Sequence, residues 1–543
     1  MNRRATGFGL RALGLVLCAS SLAVACGPAA PAREPGYITV GIRSGPNNLD
    51  PRIGTDEGSA RIAQLVYSRL MRIDDQLRVV PNLASRLDNP DPLTYIAYLR
   101  SGVRFHDGHE LTAKDVVYTF GSFLDPKFIS PYKGAFRMLA SVRALEPYVV
   151  EFKLKEPFAS FPIQLVFPIV PDGGGDSLRT FPIGTGPYRF VSYAVDDQVV
   201  LSAYEGYWDG LPQNQGVVLK VIPDETMRGL ELRKGDIDLI VNDIQPDIAY
   251  QLEKDHLAMT EAPGVDYSYI AFNMRDPLLS DKRVRHAIAY AVDREAIVKY
   301  LRRGLATPAI GILPPISWAF EPDVPRFAHD PAKAKQLLDQ AGYRDPDGDG
   351  PLPRFTLSLK TSTDEFIRLQ ATVLQQDLRE VGIAVDVNSY EFATMYADVL
   401  KGNFQMVTMQ WVGVTDPDML RRVFHSSQFP PAGFNRGYYK NPEVDRLIDL
   451  AGQASTDAER KHYYSEAQKI IADDEPYVSL WYKTHVAVMR PGVTGLRLGP
   501  QADLLNLKDV RKAGGTARFS SRVRVPRELP AYTASLGARR SPA

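Results

Sequence analysis

The sequence predicts an α/β protein of two or three domains. Its 543 residues exceed what a single core usually serves. Helical and strand periodicities follow one another late in the chain. Residues 365–381 place Phe366, Leu369, Val373, Leu378 and Val381 at helical spacing and stop at Gly382. Residues 383–387 then alternate as a strand. The third observation is the stretch 403–418, NFQMVTMQWVGVTDPD. It begins as a near-continuous apolar run (Phe404, Met406, Val407, Met409) and reads as a buried strand. It then opens into a loop carrying Trp411, Gly413, Val414, Thr415, Asp416, Pro417 and Asp418. Crevices beyond the carboxyl ends of strands are the usual binding places of α/β folds. Trp411 suits a flat apolar wall, Gly413 lets a ligand approach the backbone, and Asp416 can accept from a cation or an amine. The same residues equally suit a core Trp and an acidic Pro turn.

Composition is that of an ordinary globular protein, and the formal net charge is zero, so nothing points to nucleic acid. The N-terminus is different. Arg3, Arg4 and Arg11 precede the apolar run LGLVLCASSLAVA, which is too short for a spanning helix and reads as a secretory signal over residues 1–26. The run ends in small residues before Cys26, which resembles a bacterial lipobox with Cys26 as the lipid-modified residue. Ala23 stands where Leu is usual. Simple cleavage near Ala25 is the alternative. No cysteine follows Cys26, which excludes a disulfide framework and a thiolate metal site. Residues 27–36 are Pro- and Ala-rich and read as a tether. The expected setting is the periplasm or cell envelope, with the protein anchored to a membrane by lipid.

In chain order, residues 37–42 alternate as a strand and 60–70 have helical spacing. Residues 95–99 alternate again, and 100–108 form a Gly-punctuated hairpin turned by Asp107-Gly108. Thr112 as N-cap and Asp115 three residues on predict a helix start. His106 and His109 lack zincin spacing and are read as surface turn residues. Gly184-Thr185-Gly186 lacks the remaining parts of a phosphate loop and reads as a turn. Asp236-Ile237-Asp238 reads as a turn into a strand. Residues 281–301 and 330–341 have helical stripes, capped by Asp281 and closed by Gly342 respectively. Asp345, Asp347 and Asp349 alternate like the first half of a calcium loop, but position twelve is Thr356, not Glu, so a solvated turn is expected and no metal. Residues 460–472 are helical in pattern, and 477–489 alternate strongly. From Lys508 the chain turns basic and poor in apolar residues, which predicts a disordered tail over 508–543.

Several stretches carry a family resemblance. They are VVPNLASRL (79–87), YLRSGVRFHDGHELTAKDVVYTF (98–120), IGTGPYRF (183–190), YEGYWDGLP (204–212), VIPDETMRGLELRKGDIDLI (221–240), YIAFNMRDPLLSDKRVRHAIAYAVDREAIV (269–298) and GYYKNPEVDRLIDLA (437–451). In this order they resemble the family 5 solute-binding proteins, the dipeptide- and oligopeptide-binding subunits of bacterial ABC importers. The resemblance spans about residues 37–507. It implies a type II periplasmic-binding-protein fold with two lobes and an extra inserted domain. Lobe I would comprise 37–67, 187–267 and 485–507, the inserted domain 68–186, and lobe II 268–484. It also implies a monomer without cofactors that closes on a peptide or other small solute and docks on a permease.

No Walker A motif is present, so ATP hydrolysis falls to a partner ATPase. No G-x-S-x-G or H-E-x-x-H is present either, and no enzyme activity is expected. Paired glycosidase carboxylates stay open on sequence alone. Peptide-binding members carry an Asp three residues after the Trp to neutralise the peptide ammonium. Here that position is Val414, so either Asp416 substitutes or the ligand has no amine there. A second candidate cluster is Phe434-Asn435-Arg436, in which Asn435 and Arg436 are the candidate ligand contacts. Arg436 is suited to clamp a carboxylate, or to form a salt bridge within the protein. Relatives that carry nickel complexes, haem, opines or oligosaccharides, and a peptide-sensing receptor role, keep the ligand class open.

Overall fold

The computed structural model describes residues 36–348 and 350–513. The signal segment, Cys26, nearly all of the tether, Asp349 and residues 514–543 lie outside them. One long mixed sheet organises the molecule. In spatial order it runs Ile383–Tyr390, Phe355–Ser362, Met406–Trp411, Ala258–Phe272, Tyr477–Met489, Leu239–Val241, Tyr37–Ile42, Gly216–Val221, Gln198–Ala203 and Tyr188–Ala194. Each half contains a parallel set: Phe355–Ser362 between its two neighbours, and Tyr37–Ile42 between its own. The two long antiparallel strands Ala258–Phe272 and Tyr477–Met489 join the halves. Tyr477–Met489 pairs with Leu239–Val241 at one end and carries Ala306–Pro308 on its flank.

Parallel strands need crossovers, and here helices supply them with sequence-coded caps. Asp364 caps Glu365–Glu380 by accepting from the Ile367 N–H, and Gly382 follows at φ 82°. Asp56 caps Glu57–Val66, and Asp224 caps Glu225–Lys234. These caps stand at the carboxyl ends of strands in the two halves. The ends face each other: Arg303 Nε lies 2.6 Å from Oδ1 of Asp247, in the first turn of the helix Pro246–Lys254 of the opposite half.

Residues 70–169 build a separate core around a four-stranded antiparallel sheet, Ala84–Asp91, Thr94–Leu99, Val149–Leu154 and Leu139–Glu146, backed by Ala113–Leu124. That helix starts with the expected capping box of Thr112 and Asp115. Its aromatic side chains pack edge to face, Phe120 on Phe152 at 5.2 Å and Phe123 on Phe167 at 5.2 Å. Among the described residues no helix is long and apolar enough to cross a membrane.

Several expectations are corrected. The helix expected over 60–70 is Glu57–Val66, because its cap is Asp56. The helix expected over 281–301 ends at Ala291. Asp293 then recaps a short turn, and Ile297–Leu301 winds as a π-helix. The hairpin over 100–108 narrows to one bridge, Arg104 to Glu110, around Gly108 at φ 97°. His106 is no surface residue: it is 8 % exposed, with Nε2 3.0 Å from the Gly186 carbonyl, and burial lowers its pKa to about 4. The tail does not lose structure at Lys508. Leu504–Asp509 forms a 3₁₀ helix, Arg511–Lys512 pairs with Val493–Thr494, and Lys512 Nζ bonds the buried Asp238 carboxylate at 2.7 Å. Asp345 and Asp347 hold a local turn, accepting from the backbone N–H groups of Gly348 and Leu352.

Candidate functional site

Strand Met406–Trp411 buries its first three residues and frees its last, so Trp411 reaches the strand's carboxyl end half-buried. In register it opposes Tyr267 of the long strand. Its ring lies nearly parallel to Tyr269 at 6.4 Å, and Tyr269 stacks on Tyr477 at 4.3 Å. Phe434 meets Trp411 edge-on at 5.8 Å. The chain turns next at Gly413, whose φ of 68° favours glycine, and the Gly413 N–H donates to Asp266 at 3.0 Å.

Arg436 is set into this aromatic cluster. Gly437 beside it lies so close to the strand that a Cβ would stand 2.5 Å from the Phe272 carbonyl oxygen, which presses the loop inward. Arg436 is 5 % exposed. Its guanidinium carbon lies 4.5 Å from the Trp411 ring centre, 4.9 Å from Tyr396 and 5.3 Å from Phe434. Nη2 donates to the Tyr396 hydroxyl at 3.0 Å and Nη1 to that of Tyr269 at 3.4 Å. Among the described residues no carboxylate pairs with it, so the salt-bridge alternative is not what the structure contains. Arg436 Nε is buried without an acceptor. The Trp411 N–H and the Tyr477 hydroxyl are likewise buried without a hydrogen bond of good geometry. Buried donors of this kind are costly unless something accepts from them.

The remaining candidates separate. Asn435 is 1 % exposed and spent on the fold: Nδ2 donates to the carbonyls of Phe424, His425 and Tyr439, and Oδ1 accepts from the Tyr439 N–H. It positions Arg436 and has nothing left for a ligand, which corrects its reading as a contact. Val414 is 1 % exposed inside the apolar core, its N–H donating to the Val265 carbonyl, so its side chain serves packing. Thr415 is half-buried between them. Asp416 is half-buried. It accepts from the Asp418 N–H at 2.8 Å, and burial raises its pKa against the pull of Arg460, with Ser160 also in contact. Arg460 itself donates to Ser160 at 2.9 Å, and the Ala159 N–H bonds the Gly452 carbonyl. Asp416 therefore stands at the contact with the separate 70–169 core. Burial, with Asp416 adding to it, lifts Asp418 to about 7.

Sequence reading missed Tyr269, Tyr396 and Asp266. Tyr269 lay inside a quoted motif without a role, and its alternation partner Tyr267 was the available signal. Tyr396 and Asp266 meet the site only through the fold.

A mixed sheet in two facing halves, with an aromatic and guanidinium site at a strand's carboxyl end, defines a type II periplasmic-binding fold. The chain belongs to family 5 of the bacterial extracellular solute-binding proteins: the model of that family's middle region matches residues 78–430. The oligopeptide-binding protein AppA of Bacillus subtilis is 32% identical over 502 residues, covering 88% of this chain and 91% of that protein. The glutathione-binding protein GsiB of Escherichia coli is 29% identical, covering 92% and 98%. Among solved structures, AppA of Bacillus subtilis with a nonapeptide superposes with a TM-score of 0.73 at 31% identity, covering 88% of this chain and 100% of that one. NikZ of Campylobacter jejuni with Ni(L-His) gives 0.74 at 27%, covering 88% and 99%.

Proposed function

We propose that this chain is the substrate-binding subunit of an ABC importer and captures a peptide or peptide-like solute whose carboxylate sits at Arg436. The observation that carries the reading is the buried Arg436, unpaired with any carboxylate among the described residues and with Nε lacking an acceptor there. A ligand carboxylate supplies the missing charge and acceptor in one group. The names of AppA and GsiB support the peptide class. Capture would occur between lobe I (37–67, 187–267, 485–507) and lobe II (268–484), with 68–186 inserted. Separate cores over 70–169 and over 267–482 support this division. The closed form, held by contacts from both sides, would be the one a permease recognises. Lipid at Cys26 would hold the protein at the membrane, and a separate ATPase would drive transport.

One observation favours a second reading, a ligand without a free amine such as a metal chelate. Val414 offers no carboxylate, Asp416 is turned against the contact with the 70–169 core, and NikZ was solved with Ni(L-His). Calorimetric titration separates the two. The peptide reading expects a tripeptide to bind, its C-terminal amide to bind about tenfold or more weakly, and Arg436→Gln to erase that difference. Equal binding of acid and amide by the native chain contradicts it.

A further inference from the structure

We propose that the 70–169 unit is a closing latch: its turn at Ala159–Ser160 locks onto lobe II when the lobes close, and so sets how long a captured solute stays. The inference rests on the solute-capture reading above and assigns a role in it to residues that do not touch the solute.

The unit meets the two lobes differently. Toward lobe I it is tied at several separate points. The Tyr204 hydroxyl donates to the Phe105 carbonyl at 3.0 Å, that of Tyr132 to the Gly54 carbonyl at 2.8 Å, and that of Ser130 to the Arg52 carbonyl at 2.6 Å. The unit therefore moves with lobe I. Toward lobe II it presents the turn 158–161. The Phe161 N–H closes this turn on the Phe158 carbonyl at 2.9 Å, and Phe161 is buried in the 70–169 core, so the turn is held firmly. Its outer side meets lobe II. The Ala159 N–H donates to the Gly452 carbonyl at 3.0 Å. Gly452 stands in the last turn of the helix Pro442–Gln453, where carbonyls lack partners within the helix. Arg460 Nη2 donates to the Ser160 hydroxyl at 2.9 Å, Asp416 contacts the same hydroxyl, and Ser160 is buried. Arg78 and Asp457 lie 3.9 Å apart beside the turn, but both are exposed and add little.

This seam borders the solute site. Asp416 and Trp411 belong to one loop, which the Val414 N–H pins to the Val265 carbonyl. Phe434, edge-on to Trp411, lines the cavity of about 940 Å³ between residues 131–164 and 418–453. A solute that orders Trp411 orders the loop that meets Ser160. Hinging at the two long strands must part the seam, because its walls belong to different lobes. A contact made only in the closed form lengthens the life of that form and leaves encounter with the open form unchanged.

The test uses the full chain in mild detergent with trialanine as probe, followed by stopped-flow fluorescence. Ser160, at φ −85° and ψ 7°, fits the third position of a type I turn, which makes Ala159 the second, a place that suits proline. Ala159→Pro thus removes the N–H while keeping the turn. It is expected to release trialanine about tenfold faster, with association within about twofold of native and the melting temperature of the solute-free protein unchanged. Ala159→Ser, which keeps the N–H, should release it at the native rate. Ser160→Ala should also speed release. Native release rates in both Ala159→Pro and Ser160→Ala overturn this inference alone, as does a loss of affinity matched by a fall in the solute-free melting temperature. Failure of trialanine to bind the native chain overturns the peptide reading, and this inference with it.

Discussion

Arg436 shows how one residue decides the chemistry of a site. Each aromatic face around it offsets roughly 0.5–2 kcal/mol of its burial, while Nε stays without an acceptor. Its neighbour Trp411 tests the same point more gently. Trp411→Phe keeps a ring against Tyr269 but removes the N–H and part of the indole, so titration should show peptide affinity falling by about an order of magnitude, with the melting temperature nearly unchanged because Trp411 is only half-buried. A large drop in melting temperature would make Trp411 a core residue only. His106 belongs to this scale too. Its Asp-Gly neighbours have turn chemistry, which is why the sequence reads it as exposed. It is buried because Gly184 and Gly186 press the 183–187 segment onto residues 65 and 66: a Cβ at either would stand 2.0 or 2.4 Å from a carbonyl oxygen. That contact is long-range and leaves no local trace. The folded-state pKa of His106, about 4, lies below the ordinary 6.5. The unfolded chain therefore binds the proton first, and stability is full above pH 6.5 and falls as pH drops toward 4. The loss is about 3 kcal/mol. Thermal melts from pH 7 to pH 4 should show a flatter profile for His106→Gln than for the native chain; parallel profiles would contradict the burial argument.

At the scale of elements, legibility followed periodicity. Strand Tyr477–Met489 is read over its whole length because its alternation is unbroken, and its pairing with both halves follows from that length. Its partner Ala258–Phe272 was missed. Pro263-Gly264 within it reads as a turn, but the structure absorbs it as a bulge between Pro263 and Tyr267. Gly264 is required there by space: a Cβ would lie 2.1 Å from the Lys483 carbonyl oxygen and 3.0 Å from His485 Nε2. Gly264→Ala must push the two long strands apart where the halves join. Denaturant unfolding should report a loss of about 1–3 kcal/mol; an unchanged midpoint would mean that the bulge relaxes freely. The break after Ala291 was invisible for the opposite reason. The apolar stripe continues through Ile297 and Leu301, and only Asp293, acting as a second cap, ends the first helix.

At the scale of the molecule, sequence motifs placed the family, and the alternation of helix and strand placed the α/β class. The site was half legible. Trp411 and Arg436 share one cluster, as their residue types suggest. Asn435 and Val414 turned inward, and which way a side chain points depends on strands that meet only after folding. The account's central claim is that the chain holds a carboxylate-bearing, peptide-like solute at Arg436. Native mass spectrometry of the purified protein tests it most directly. The account predicts a one-to-one complex with such a solute, and loss of that mass in Arg436→Gln. A bound solute without any carboxylate, or the same complex undiminished in Arg436→Gln, would contradict it.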